Sequence, residues 1–173
     1  TYRDLNPAMW MGRRMKALLN DRSQFDAHVR AVSENLLPRQ SRFQTTDRNR
    51  GGNRNQNIID SAGTQALRVL SAGMMAGMTS PARPWIKLTV ADPDLAKDPQ
   101  VKSWLAECTR MMEKVFRKSN TYNMLHFTYR ELGGFGTGCT ITEDNFERVI
   151  HHAPMTFGEY ALGLDHEGNV NTI

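Results

Sequence analysis

The chain has 173 residues, 39% hydrophobic and 23% charged, which fits one ordinary domain able to bury roughly 70% of its unfolded surface. No apolar run approaches the roughly 18 residues a membrane span requires and no basic-then-apolar leader opens the sequence, so a soluble chain without an export signal is expected. The net charge of +4 is unevenly divided: residues 1–90 hold 14 Lys/Arg against 6 Asp/Glu, a balance of +8, and residues 91–173 hold 8 against 12, a balance of −4.

A basic half suits nucleic acid, or an acidic surface on a neighbouring copy. Cys108 and Cys139 are the only cysteines and sit inside apolar patterns. They are expected to be buried thiols of a reducing compartment, with no disulfide framework. The sequence opens at Thr1 and stops at Ile173 inside what reads as a strand, so a piece of a longer polypeptide is expected.

Residues 1–37 are predicted to form two helices. Met11, Met15, Leu18 and Leu19 share one helical face, and Phe25, Val29, Val32 and Leu36 form a second stripe that Asp21 or Ser23 could cap. Pro38 closes this region, because proline lacks the amide donor and restricts the residue before it.

Residues 38–57 are predicted to be a long mobile basic loop. Arg39, Arg42, Arg48, Arg50 and Arg54 stand there with Asp47 as the sole acid, beside Gly51-Gly52 and several Asn/Gln. Arginine forks suit phosphates, which favours contact with nucleic acid; equally, the charges could serve only to keep an exposed loop solvated. With Phe43 the only aromatic there, base stacking is not expected.

Residues 58–138 are predicted to be a helical core carrying one strand. Asp60 or Ser61 caps a helix running to about Thr79, in which Leu67, Leu70, Met74 and Met78 alternate with small Ala62, Ala66, Gly73 and Gly77. Each mid-helix glycine costs about 1 kcal/mol relative to alanine, so Gly73 and Gly77 imply tight packing against another helix or subunit, with Met74, Met78 and Trp85 beside them. Trp85 to Val90 is predicted as a strand, with Ile86, Leu88 and Val90 on one side. Asp98-Pro99 starts the next helix, with a stripe of Val101, Leu105, Cys108, Met112 and Val115 widened by Trp104, Met111 and Phe116. Asn120 caps a further helix, expected to end at Gly133-Gly134.

Residues 139–173 are predicted to be a small antiparallel β region, truncated at its C-terminal end. Strands are expected around 139–142 and 146–152, followed by a helix-cap signature at Thr156 and Glu159 and a hairpin over 165–168. The fold class is α+β, mostly α: a helical N-terminal part followed by a small antiparallel sheet.

No catalytic constellation emerges, and no cofactor or metal site is assigned. The glycine run Gly133, Gly134, Gly136 and Gly138 lies between a helix and a strand, the reverse of a phosphate cradle, and no Gly-Lys pair exists anywhere. It is expected to be a corner needing close backbone approach. His151 and His152 point to opposite faces of a strand and are poor co-ligands; His166 and Asp165 fall in a hairpin. Glu143, Asp144 and Glu147 flank a turn, where acids are common. No serine or cysteine occupies a nucleophile elbow, and no lysine follows an acid by two residues as a metal-nuclease motif requires. The ten methionines could fill a core or form an adaptable contact surface.

Several blocks resemble the portal proteins of short-tailed phages. They are Ile59-Asp60-Ser61-Ala62-Gly63-Thr64 with the following run 66–70, and the run 72–85 ending in Thr79-Ser80-Pro81-Ala82-Arg83-Pro84-Trp85. Leu36-Leu37-Pro38-Arg39 precedes these. After them come Val115-Phe116, Ser119-Asn120, Tyr122-Asn123, Glu131-Leu132-Gly133, Phe135-Gly136-Thr137-Gly138, Pro154 and Glu159-Tyr160. The similarity spans nearly all of the chain, with 79–85 and 135–138 its most specific blocks; Gly134, Gly138 and Cys139 depart from the family's choices.

The resemblance implies a structural subunit of a homo-oligomeric ring, typically of twelve copies, at the portal vertex of the virion capsid and assembled in the host cytoplasm. Such rings pass double-stranded DNA during packaging and ejection. They meet the major capsid protein, the scaffolding protein, the terminase large subunit and tail adaptor proteins, and involve no membrane. This stretch would belong to the peripheral wing, with channel-lining residues elsewhere, and no enzyme activity is implied. Two other readings stand beside it: a stand-alone nucleic-acid-binding domain acting through the Arg39–Arg54 loop, and a nuclease or other enzyme whose metal-dependent turnover would need Glu143 or Asp144.

Overall fold

The computed structural model describes residues 7–38, 40 and 58–173. Four helices come first, α1 (Pro7–Leu36), α2 (Ala62–Met78), α3 (Pro99–Lys118) and α4 (Thr121–Phe135), followed by strands β1 (Cys139–Asn145), β2 (Val149–Met155), β3 (Gly163–Leu164) and β4 (Val170–Thr172). The mostly helical α+β class follows. The basic run at Arg39, Arg42, Arg48, Arg50 and Arg54 lies outside the described residues.

The first region is one 30-residue helix, not two. Nothing between Asn20 and Ser23 lacks an amide or demands an unusual backbone, and the Ser23 hydroxyl donates back to the Asn20 carbonyl at 2.5 Å in place of capping a new start. The buried stripe is also different from the expected pair. Leu18, Val29 and Ser33 are buried, with Arg22 and Asp26 half-buried between them, while Met11 and Phe25 are more than 60% exposed.

Helix α2 begins where an Asp60 carboxylate oxygen accepts the Ala62 amide at 3.1 Å. Asp98 caps α3 by accepting the Gln100 amide at 2.7 Å, with Pro99 in the first turn. Helix α4 packs on α2. A Cβ placed at Gly133 would meet Leu67 at 2.9 Å, and one at Gly134 would meet Leu37 at 2.6 Å. The two glycines are thus contact points inside the helix and do not end it. The stop is Gly136, whose φ of +75° is the left-handed cap that glycine takes without penalty. A Cβ placed at Gly138 would meet the Thr128 carbonyl oxygen at 3.1 Å, so the glycine corner does require close approach.

The predicted strand at 85–90 is absent. Residues 84–90 have no regular secondary structure and pair with no strand among the described residues. They lie along α3, where the Leu88 amide donates to the Thr109 hydroxyl at 3.3 Å. Alternating apolar and β-branched residues give the segment strand propensity, but a ladder also needs a second strand.

The β region forms two separate two-stranded ribbons, β1–β2 and β3–β4, not one sheet. In the first, Cys139 pairs with Met155 and Asn145 with Val149, and Phe146 sits at the turn, fully exposed, not in a strand. Thr156 starts no helix. Its amide instead donates to Glu159 at 3.0 Å in a tight turn that separates the ribbons. The core lies where α1, α2 and α4 meet, built from Leu18, Val29, Leu37, Leu67, Met124 and Tyr129 and closed by Tyr160 and Ala161. Cys108 and Cys139 are half-buried, not fully buried, and burial pushes the Cys139 thiol upward.

Candidate functional site

Two buried or half-buried polar contacts hold the helices to the β region. Glu131 has no exposed surface; its carboxylate accepts the Thr156 hydroxyl and the Phe157 amide, both at 3.2 Å. Desolvation raises its pKa above the ordinary 4.5, and those two hydrogen bonds offset part of the rise. Arg22 reaches from α1 to the same segment, donating to the Gly158 and Tyr160 carbonyls at 3.1 and 2.8 Å with its guanidinium over the Phe157 ring at 5.9 Å. Sequence reasoning missed both residues. An acid or arginine on the apolar stripe of a helix was the available signal.

Asn120 braces the first ribbon. Its amide donates to the His152 carbonyl at 2.7 Å and its oxygen accepts the His152 amide at 2.9 Å. The His152 ring is itself held between the Thr121 and Thr142 hydroxyls, each at 2.9 Å, and partial burial lowers its pKa. Both ring nitrogens are engaged, which leaves no lone pair aimed at a metal. Among the described residues no three His, Cys, Asp or Glu side chains gather in metal-binding geometry. Glu143, Asp144 and Glu147 lie exposed around the β1–β2 turn.

Of the residues expected to pack subunits or helices, the two α2 glycines make no helix contact within the chain. Gly73 and Gly77 stand on an open face of α2, with nothing within 4 Å of an added Cβ. The close helix approach is made instead by the glycines of α4. Met78 and Val69 are exposed at 52% and 73%, while Met74 is half-buried. Trp85 is an internal brace. It stacks on Phe116 with centroids 5.8 Å apart and donates its indole N–H to the Tyr122 hydroxyl at 3.3 Å.

What the structure does present is apolar surface. Helix α3 has no buried residue at all, although its apolar stripe is well formed, and Trp104 and Met111 are exposed at 65% and 51%. Alongside it, residues 84–90 leave an open groove of about 890 Å³. Surface of this kind marks contact with other chains more than chemistry. No helix among the described residues is long and apolar enough to cross a membrane.

Residues 11–173 match the family described as bacteriophage head to tail connecting protein. Two relatives are similar over most of the chain. A "Probable portal protein" of Bordetella phage BPP-1 is 52% identical over 156 residues, covering 90% of this chain and 28% of that protein. A "Portal protein" of Salmonella phage epsilon15 is 43% identical over 160 residues, covering 92% of this chain and 29% of that protein. The chain thus spans under a third of the length of these curated relatives.

Proposed function

This chain belongs to the bacteriophage head-to-tail connecting protein family, and on that premise we propose that it is part of a portal subunit, a structural component of the virion's portal vertex. In this reading identical subunits form a ring, typically of twelve, that conducts double-stranded DNA during packaging and ejection and seats the tail. The subunit has no hydrolytic role of its own. Its partners are other copies of itself, the major capsid protein, the scaffolding protein, the terminase large subunit and tail adaptor proteins, with assembly in the host cytoplasm.

The observation that carries the reading is the family match over residues 11–173. The exposed apolar face of α3 and the open small-residue face of α2 support it, since both are surfaces a closed ring of copies would cover. The +8 and −4 halves of the sequence suit head-to-tail neighbours. Electron microscopy of the full-length protein tests it: rings are expected. Lone monomers at high concentration, or unaided turnover of a substrate, would overturn it.

The arginine-rich segment supports a second reading, a nucleic-acid-binding domain. Changing Arg48, Arg50 and Arg54 to Ala separates the two. Collapse of a salt-dependent DNA affinity supports direct binding, whereas the ring reading expects assembly to be little changed.

A further inference from the structure

We propose that the tip of the β1–β2 hairpin of one copy seats in the groove between residues 84–90 and α3 of the adjacent copy, an inference that rests on the ring reading above. The tip is built as a protruding anchor. Phe146 is fully exposed there, a large aromatic ring free to serve as the anchor of a contact. The turn is held rigid, because the Asn145 carboxamide oxygen accepts the Glu147 and Arg148 amides at 2.9 and 2.8 Å. Val149 follows with φ of +72°, a strained setting for a β-branched residue. Strain of this kind persists where the surroundings over-determine it, and a preordered tip loses little freedom on binding.

The groove is the matching half. Ile86, Leu88 and Val90 are half-buried, leaving apolar surface in it, while Lys87 and Thr89 also line it and are exposed. The backbone of 84–90 has no strand partner among the described residues. An aromatic side chain with its flanking backbone fits both features.

Charge favours a second copy as the occupant. Arg110 is held by Glu107 at 2.6 Å, but Lys87 and Lys102 at the groove have no ion-pair partner among the described residues. Glu143, Asp144 and Glu147 around the tip likewise have none, and only Arg148 opposes them there. A two-lysine groove thus meets a tip of net charge −2. Tip and groove are different surfaces, so the contact is head-to-tail and propagates from copy to copy until it closes.

Full-length protein tests the contact by mass photometry and electron microscopy across a concentration series. Three variants are compared with wild type: Phe146→Asp, a tip reversal (Glu143→Lys, Asp144→Lys, Glu147→Lys) and a groove reversal (Lys87→Glu, Lys102→Glu). Each is expected to raise the midpoint concentration of ring formation by about tenfold or more, and combining the two reversals is expected to recover most of that loss. Helical circular dichroism unchanged from wild type shows that each exposed-site variant is folded; should Phe146→Asp misfold, the reversals and their combination still decide. Wild-type rings that survive all three variants overturn the docking and leave the ring reading standing. So do reversals that abolish rings singly without recovery in combination. Absence of rings in the wild type overturns both.

Discussion

Glu131 and Thr156 meet through a carboxylate–hydroxyl hydrogen bond of 3.2 Å with Glu131 wholly enclosed. Helix α4 and the segment after β2 are therefore joined by a polar contact that water does not reach. The Phe157 amide completes it at 3.2 Å. The arrangement draws the Thr156 hydroxyl away from the helix-capping role its sequence context suggests, while the Thr156 amide goes to Glu159.

This contact has a pH signature. Burial raises the Glu131 pKa above 4.5, so the folded state holds its proton at a pH where the unfolded state has released it. The stabilising contribution is full below the unfolded value near 4.5 and is lost as pH rises through the folded value. Glu131→Gln should match wild type or exceed it in urea midpoint near neutral pH, with the difference shrinking as pH approaches 4. Glu131→Ala should lose about 1–3 kcal/mol by stranding the Thr156 and Phe157 donors. Parallel pH profiles for wild type and Glu131→Gln would contradict the assignment.

Glycines at different helix positions should respond in opposite directions. Gly134→Ala places a methyl 2.6 Å from Leu37, and displacing that core side chain should outweigh the roughly 1 kcal/mol gained in helix propensity. Gly73→Ala and Gly77→Ala meet nothing within 4 Å and should each stabilise the isolated chain by about 0.5–1 kcal/mol. Thermal melts of the three variants decide this. If the α2 face is covered by another subunit, Gly73→Ala and Gly77→Ala will weaken assembly even as they raise the melting temperature.

Val149 carries φ of +72° with its side chain 58% exposed. Val149→Gly removes the strain at little loss of packing and should stabilise the chain by about 1 kcal/mol. A lower melting temperature would show that the side chain contributes more than the strain costs.

Asn120→Ala removes both bonds to His152 and leaves a half-buried strand residue with its amide and carbonyl unpaired. A loss of about 1–3 kcal/mol is expected. Hydrogen exchange should localise it, with protection falling at the His152 amide and persisting in α2. Uniform loss across the chain would mean that Asn120 supports the whole core and not the ribbon alone.

The legible parts were those whose causes are local. Asp98-Pro99 marks a helix start because a carboxylate and a proline suit the same first turn, and the hairpin at 165–168 forms because the Asp165 carboxylate accepts the Glu167 and Asn169 amides. The glycine corner was readable as a close approach, though not which side chains would fill it. The basic segment's composition marks it as distinct, and its arginines lie outside the described residues.

Other features depended on distant partners. Whether residues 85–90 become a strand turns on a neighbouring strand, not on their own β-branched content, and α3 is the neighbour they have. Which face of α1 is turned inward depended on Arg22 having carbonyls 136 and 138 residues away to bind. Glu131 looked like any helix acid until folding enclosed it. The sequence alone determined the class, the helix starts at Asp60 and Asp98 and the family, because backbone preference and motif are written residue by residue. Tertiary structure alone decided which glycines are crowded, which apolar faces stay open and which carboxylate is buried. Burial is a property of what lies opposite, and what lies opposite is set only when the chain closes on itself.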